Sequence, residues 1–195
     1  MNKLLMNKKV INIVNDCNDL NYVLKAEEML VVNYYNDNQQ SINININQQE
    51  NSYFVLNFSC LFHEKCNVKI NSKINGNNNR SIINVRTLAE NNLGTFDVTV
   101  KVEANANNNE VIEDLKGINE NGNIVFLPIL EVDTNEVVAE HFATVGSFDE
   151  NELFYLQTKG ISFENACKLL KKSFLYSLFG DEILHLINKG KEKDE

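Results

Sequence analysis

The sequence predicts an all-β body over residues 1–148, followed by a small α-helical appendage over 149–195. Three observations lead there. Apolar and polar side chains alternate with period two through most of residues 9–148, Asn-rich clusters interrupt that alternation, and after Phe148 the apolar period becomes 3.6. Many short strands with regular turns make a sandwich, a barrel or a coiled β-solenoid.

Strand-like runs fall at 10–14, 23–35, 42–46, 53–62, 68–74, 82–88, 96–102, 111–115, 124–132 and 137–145. Turns are expected at Asn36-Asp37-Asn38, Asn75 to Asn79, Asn105 to Asn109 and Asn119 to Asn123. Asn tolerates the left-handed backbone and bonds its own main chain, so it turns corners where Gly is scarce. The chain carries a single Pro, and strands free of it are expected to leave every backbone donor available for a ladder, as stacked coils require. Beyond Phe148, Asp149-Glu150-Asn151-Glu152 has the form of a capping box and opens a short helix that Gly160 can close. Ser162 caps a second helix, in which Phe163, Ala166, Cys167, Leu170, Phe174 and Leu178 form one stripe. A third turn or two is expected over 182–188, and a frayed tail from Gly190.

Composition narrows the function classes. The chain has 195 residues, with 27 acidic against 18 basic side chains and a net charge of −9. That balance argues against nucleic acid, whose phosphates are held by clustered Lys and Arg. A chain of this size buries roughly 70% of its unfolded surface and needs no disulfide to hold a core. No apolar run reaches signal-peptide or membrane-span length, and the four cysteines read as reduced thiols, so a cytoplasmic protein is expected. The 34 Asn residues alternate with Ile and Val, as in Ser41 to Asn47, which is not low complexity. Together with abundant Lys and Ile and scarce Gly, Ala, Pro and Arg, they read as a coding background.

One ordered stretch carries more. Phe126-Leu127-Pro128-Ile129-Leu130-Glu131-Val132 leads to Val138-Ala139-Glu140-His141-Phe142-Ala143-Thr144-Val145-Gly146, then to Leu153-Phe154-Tyr155-Leu156-Gln157-Thr158-Lys159-Gly160-Ile161-Ser162 and the helix with Ala166, Leu169 and Leu170. This succession closely resembles the C-terminal signature of the SufB/SufD family, scaffold proteins of the SUF iron–sulfur cluster assembly system. The resemblance implies a right-handed parallel β-helix, roughly six coils over 9–148 at ~20–25 residues each. It also implies a non-enzymatic scaffold, a shortened SufD-like member. Such a subunit would dimerise with a SufB-like partner or with itself near its last strands. It would dock a SufC-like ABC ATPase through its C-terminal helices. No resident cofactor is implied, only an iron–sulfur cluster held transiently at a subunit interface, with no nucleic-acid or membrane partner.

On that resemblance the family's functional His falls on His141, with Glu140 beside it. The ATPase-docking end falls on Phe154, Tyr155, Gly160, Ile161, Phe163, Leu170 and Phe174. Phe142 stands where the family has Gly or Glu, and Lys159 where it has Arg. No Cys lies between Cys66 and Cys167 to match the cluster-ligating cysteine of SufB-like members. Strand periodicity sends Glu140 and His141 to opposite faces, so they cannot share one metal without a bulge.

Cys60, His63 and Cys66 have a metal-like C-x₂-H-x₂-C spacing. Zinc sites need four ligands, and a strand over 54–62 sends Cys60 and His63 to different faces, so packing is the expected role. Cys17 and Cys167 read the same way, and His185 as a surface residue. No P-loop, G-x-S-x-G or H-E-x-x-H motif is present. A β-solenoid enzyme acting on acidic sugars would need clustered acids. Asp97, Glu110, Glu113 and Arg86 read instead as solvated strand and turn positions. The remaining alternative is a SufD-derived dimerisation module without cluster chemistry.

Overall fold

The computed structural model describes residues 7–16 and 18–191. Eleven strands come first: β1 (Asn7–Val14), β2 (Asp19–Leu24), β3 (Glu28–Asn36), β4 (Ser41–Gln48), β5 (Tyr53–Phe62), β6 (Cys66–Ile74), β7 (Arg80–Glu90), β8 (Leu93–Val102), β9 (Asn109–Glu120), β10 (Asn123–Val132) and β11 (Val137–Gly146). Three helices follow: α1 (Glu150–Thr158), α2 (Phe163–Tyr176) and α3 (Asp181–Lys191). The odd-numbered strands form one six-stranded sheet in sequence order, and the even-numbered strands a five-stranded sheet. Every ladder is parallel, so the chain winds through about five turns of a β-solenoid. Asn7 pairs with Glu28 at one end and Arg80 with Glu110 further along, so a coil grows from 21 to 30 residues. The coils exceed the expected length because the odd strands lengthen from 8 residues in β1 to 12 in β9.

Two expectations change. The run over 23–35 is two strands, because Glu27 takes a positive φ of 63° and Lys25 N–H donates to the Glu28 carboxylate, turning the chain. Pro128 lies inside β10, the end strand of its sheet, where half the backbone donors have no ladder partner to lose.

Inward-facing residues stack in columns. Val32, Leu56 and Ile83 form one, and Tyr34, Phe58, Val85 and Leu115 the next, with Tyr34 edge-on to Phe58 at 5.3 Å. Phe62 of β5 meets Phe96 of β8, which meets Phe126 of β10, at 6.1 and 5.6 Å between centroids. Full burial of each such side chain contributes about 1.5–3 kcal/mol.

Asn does structural work that composition did not reveal. On the outer face of the odd sheet Asn33 donates to Asn12 (2.8 Å), Asn57 to Asn33 (2.8 Å) and Asn84 to Asn57 (3.0 Å). A second ladder runs from Asn71 to Asn45 to Asn21. An amide donates and accepts at once, so identical residues one coil apart satisfy each other along the stack. At the corners, six of the seven non-glycine residues with positive φ are Asn. Buried Asn79 and Asn109 accept, at 2.7 Å, from the backbone N–H of Ser52 and Asn79 in the preceding coils. Gly76 is required there, since a Cβ would sit 2.5 Å from Glu50 N.

The helices pack on the outer face of the odd sheet, not over the end of the solenoid. Tyr35 meets Ile183 and Ile187 of α3, and Leu88 and Ile118 meet Leu175 of α2. Lys171 ties α2 to the coils through Glu90 (2.7 Å) and Glu120. Asp149 caps α1 by accepting from Asn151 N–H at 2.8 Å, Ser162 caps α2 through Asn165 N–H, and Gly160 closes α1 with φ 83°. Within the expected stripe Ala166 is buried but Phe163 is exposed, and Leu175 takes the buried place instead. The third helix is longer than expected because Ile183 and Ile187 anchor it, and it continues through Gly190 to Lys191. Cys17 and residues 192–195 lie outside the described residues. Among the described residues no helix is long and apolar enough to cross a membrane.

Candidate functional site

The last rung differs from those beneath it. In β9, alternation puts Val111, Glu113 and Leu115 on the inward face. Glu113 is 0% exposed, and neither carboxylate oxygen has a hydrogen-bond partner. Burial alone pushes its carboxyl up to about 8, so it is protonated at neutral pH. The register sets Ile83 on one side of it and His141 of β11 on the other. Adjacent parallel strands lie about 4.8 Å apart, so Glu113 and His141 are neighbours on one face. His141 is exposed, because β11 ends its sheet and, among the described residues, no strand pairs with its far edge. The pair therefore joins a buried proton-bearing carboxyl to an accessible imidazole at the open end of the solenoid.

Glu140 pairs with Ile112 and points to the opposite face from His141, as strand geometry requires. Phe142, also on the outward face, is exposed beside Asp114 in the register. Among the described residues no three His, Cys, Asp or Glu side chains converge as a metal site. Glu113 and His141 could thus supply two donors, one oxygen and one nitrogen, to an iron centre.

Reading Glu113 and Arg86 as solvated is corrected. Arg86 is 8% exposed and donates to Asp114 Oδ2 (2.6 Å), Asp114 O (3.0 Å) and Val85 O (2.9 Å). Its guanidinium lies on the outer face of the last coils and ties β7 to β9 through Asp114. The signal for Glu113 was in the sequence: Val111-x-Glu113-x-Leu115 places a carboxylate in phase with apolar neighbours.

Of the residues expected at the docking end, Phe154, Tyr155 and Phe163 are 68%, 59% and 60% exposed. Ile161 and Leu170 are half-buried, and Phe174 packs against the Leu88–Ile118–Leu175 cluster, which makes it a packing residue. Gly160 serves the turn between α1 and α2. Leu169, in the same motif-bearing helix, is also exposed, and Lys159 Nζ lies 5.1 Å from the Tyr155 ring centroid. The helices therefore present apolar surface away from the solenoid. Cys60 and Cys66 do meet, with sulfurs 3.9 Å apart, whereas His63 turns outward to Glu90 at 2.9 Å, so the three form no common centre. His185 is exposed on α3, and Cys167 is half-buried.

Residues 43–174 match the family model described as SUF system FeS cluster assembly, SufBD core domain. A stretch of 49 residues is 45% identical to an iron–sulfur cluster assembly SufBD family protein of Mycobacterium leprae (strain TN). That stretch covers 25% of this chain and 12% of the relative, so the similarity spans a small part of the longer protein. The family match begins in β4, well upstream of the motif-bearing strands, and so includes the Asn-bearing coils.

Proposed function

The chain belongs to the SufBD family, and from that premise we propose that it is a non-catalytic subunit of SUF-type iron–sulfur cluster assembly. In this reading the last rung receives iron or a nascent cluster as cargo. The single observation that carries it is the unpartnered Glu113 carboxyl in register with exposed His141 at the open end of the stack. A buried neutral carboxyl loses its proton readily once a cation arrives beside it, so cargo binding and proton release are linked. His141 offers the accessible first donor, and Glu113 becomes a carboxylate only when the charge it answers is present. Glu140 lies on the other face and would act toward a second subunit.

A cluster needs more donors than two, and the remainder would come from a SufB-like partner or a second copy meeting β10 and β11. Support for that meeting lies in two uncovered sheet edges and in exposed Leu127, Ile129, Val138 and Phe142 on those strands. Exposed Phe154, Tyr155 and Phe163 on α1 and α2 would dock a SufC-like ABC ATPase.

Two measurements test the proposal. Anaerobic reconstitution of the full chain with its cognate partner and ATPase should lose most iron uptake in His141→Ala and a smaller share in Glu113→Gln. Unchanged cluster yield in both would favour the dimerisation module without cluster chemistry. For docking, Phe154→Asp should weaken ATPase binding by roughly tenfold or more in calorimetry, as loss of an aromatic anchor does. A variant that binds like the wild type removes α1 from the interface.

A further inference from the structure

The corner between β5 and β6 holds a second reactive arrangement, remote in sequence from Glu113 and His141. Cys60 lies in the inward-facing run of β5, just before Phe62, and Cys66 opens β6, with five residues between the two cysteines. Their sulfurs are 3.9 Å apart, and both thiols are buried. Asn36 Nδ2 donates to Cys60 Sγ at 3.3 Å, and Cys66 Sγ lies 3.7 Å from the Gln39 carbonyl. Cys66 also lines a cavity of about 300 Å³, shared with Gln39, Gln40, Phe62 and His63, which gives a small solute a route to one thiol of the pair.

We propose that Cys60 and Cys66 are a redox-active dithiol that a hydroperoxide converts to an intramolecular disulfide across this corner. Cys66 is the attacking group. The hydrogen bond from the Cys60 thiol lowers the Cys66 thiol, against the opposing effect of its burial. That same bond, then burial, pushes Cys60 up and keeps its proton in place. The Cys66 thiolate attacks the outer peroxide oxygen: an S–O bond forms, the O–O bond breaks, and the alkoxide or hydroxide leaves with a proton from water. Cys66 is now a sulfenic acid. Cys60 Sγ then attacks Cys66 Sγ, forming S–S and breaking S–O, and hydroxide departs with the Cys60 proton as water. Two electrons pass from the thiols to the peroxide. Closure to a bond of about 2.05 Å requires the sulfurs to approach, across a corner formed by the exposed His63-Glu64 bend.

Trypsin cleaves after Lys65, which puts the two thiols on separate peptides. The full chain, reduced and then treated with one equivalent of hydrogen peroxide, should yield those peptides joined, about 2 Da lighter, and freed by dithiothreitol. Cys66 should be consumed roughly ten times faster than half-buried Cys167, which has no thiol partner among the described residues. In Cys60→Ser, dimedone should trap Cys66 as a sulfenic acid. Equal rates at Cys66 and Cys167, linkage of either thiol to Cys17 or Cys167 instead, or oxidation of Cys66 to sulfinate without cross-linking would each overturn the proposal. So would a folded Cys60→Ser protein that gives no adduct.

Discussion

The first four rungs of the odd sheet and its last two are built on the same register columns with opposite chemistry. The inward column reads Ile11, Val32, Leu56, Ile83 and then Glu113, His141. The outward column reads Asn12, Asn33, Asn57, Asn84 and then Asp114, Phe142. Both change at β9. In these two columns each early-rung residue meets its counterpart one coil away, apolar against apolar inside and amide to amide outside. At the end of the stack that rule stops: a carboxyl is left without a partner, and the last strand is open. Ser59 and Thr87 also bury hydroxyls without partners in the earlier rungs, so what sets β9 apart is that its unpartnered group, Glu113, is ionisable.

Three experiments break or sharpen that contrast. The largest effect is expected from moving the end's chemistry inward. Ile83→Glu buries a second unpartnered carboxyl among early-rung residues and should cost above about 4 kcal/mol in urea unfolding. A tolerated Ile83→Glu would mean that the interior does not distinguish its rungs.

Next comes the pH dependence of Glu113. Its folded value of about 8 lies above the unfolded carboxyl, so between the two the native state holds a proton that the unfolded state has released. Stability contributed by this site is therefore full at low pH and falls as pH rises toward the folded value. From about pH 5.5 to 7.5 the wild type should lose roughly 2–3 kcal/mol relative to Glu113→Gln. Parallel pH profiles for the two proteins would show that the carboxyl is not held neutral. The smallest effect belongs to the ladder. Asn57→Ala removes the acceptor of Asn84 and the donor to Asn33 and should cost about 1 kcal/mol. A null result there would reduce the ladders to neutral stacking.

Much of the architecture was legible in the residues. Period two put Leu56, Phe58, Cys60 and Phe62 on one inward face, and the change of period after Phe148 marked the helices. The resemblance in residues 126–170 pointed to stacked coils, which local alternation alone could not separate from a sandwich or barrel. Legibility failed where a residue's role depends on a neighbour about 24–30 positions away. Asn57 looks like any polar strand residue until Asn33 and Asn84 stand on either side of it. Glu113 was in phase with Val111 and Leu115, yet its acidity suggested solvent, and only the coil above and below decided otherwise. The 23–35 run was misread because nothing in Lys25-Ala26-Glu27 is a strong turn former. There the left-handed Glu27 is imposed by the register of the coil.

By itself, then, the sequence determined that this chain alternates, turns on Asn and ends in capped amphipathic helices, since these are local consequences of side-chain shape and backbone preference. The tertiary structure decided which alternating residues meet. It joined Asn to Asn in ladders, brought Cys60 to Cys66, and set Glu113 beside His141 on a rung with no successor. Burial, hydrogen-bond satisfaction and the carboxyl's proton affinity are properties of those meetings, and a parallel stack makes them between residues a full coil apart.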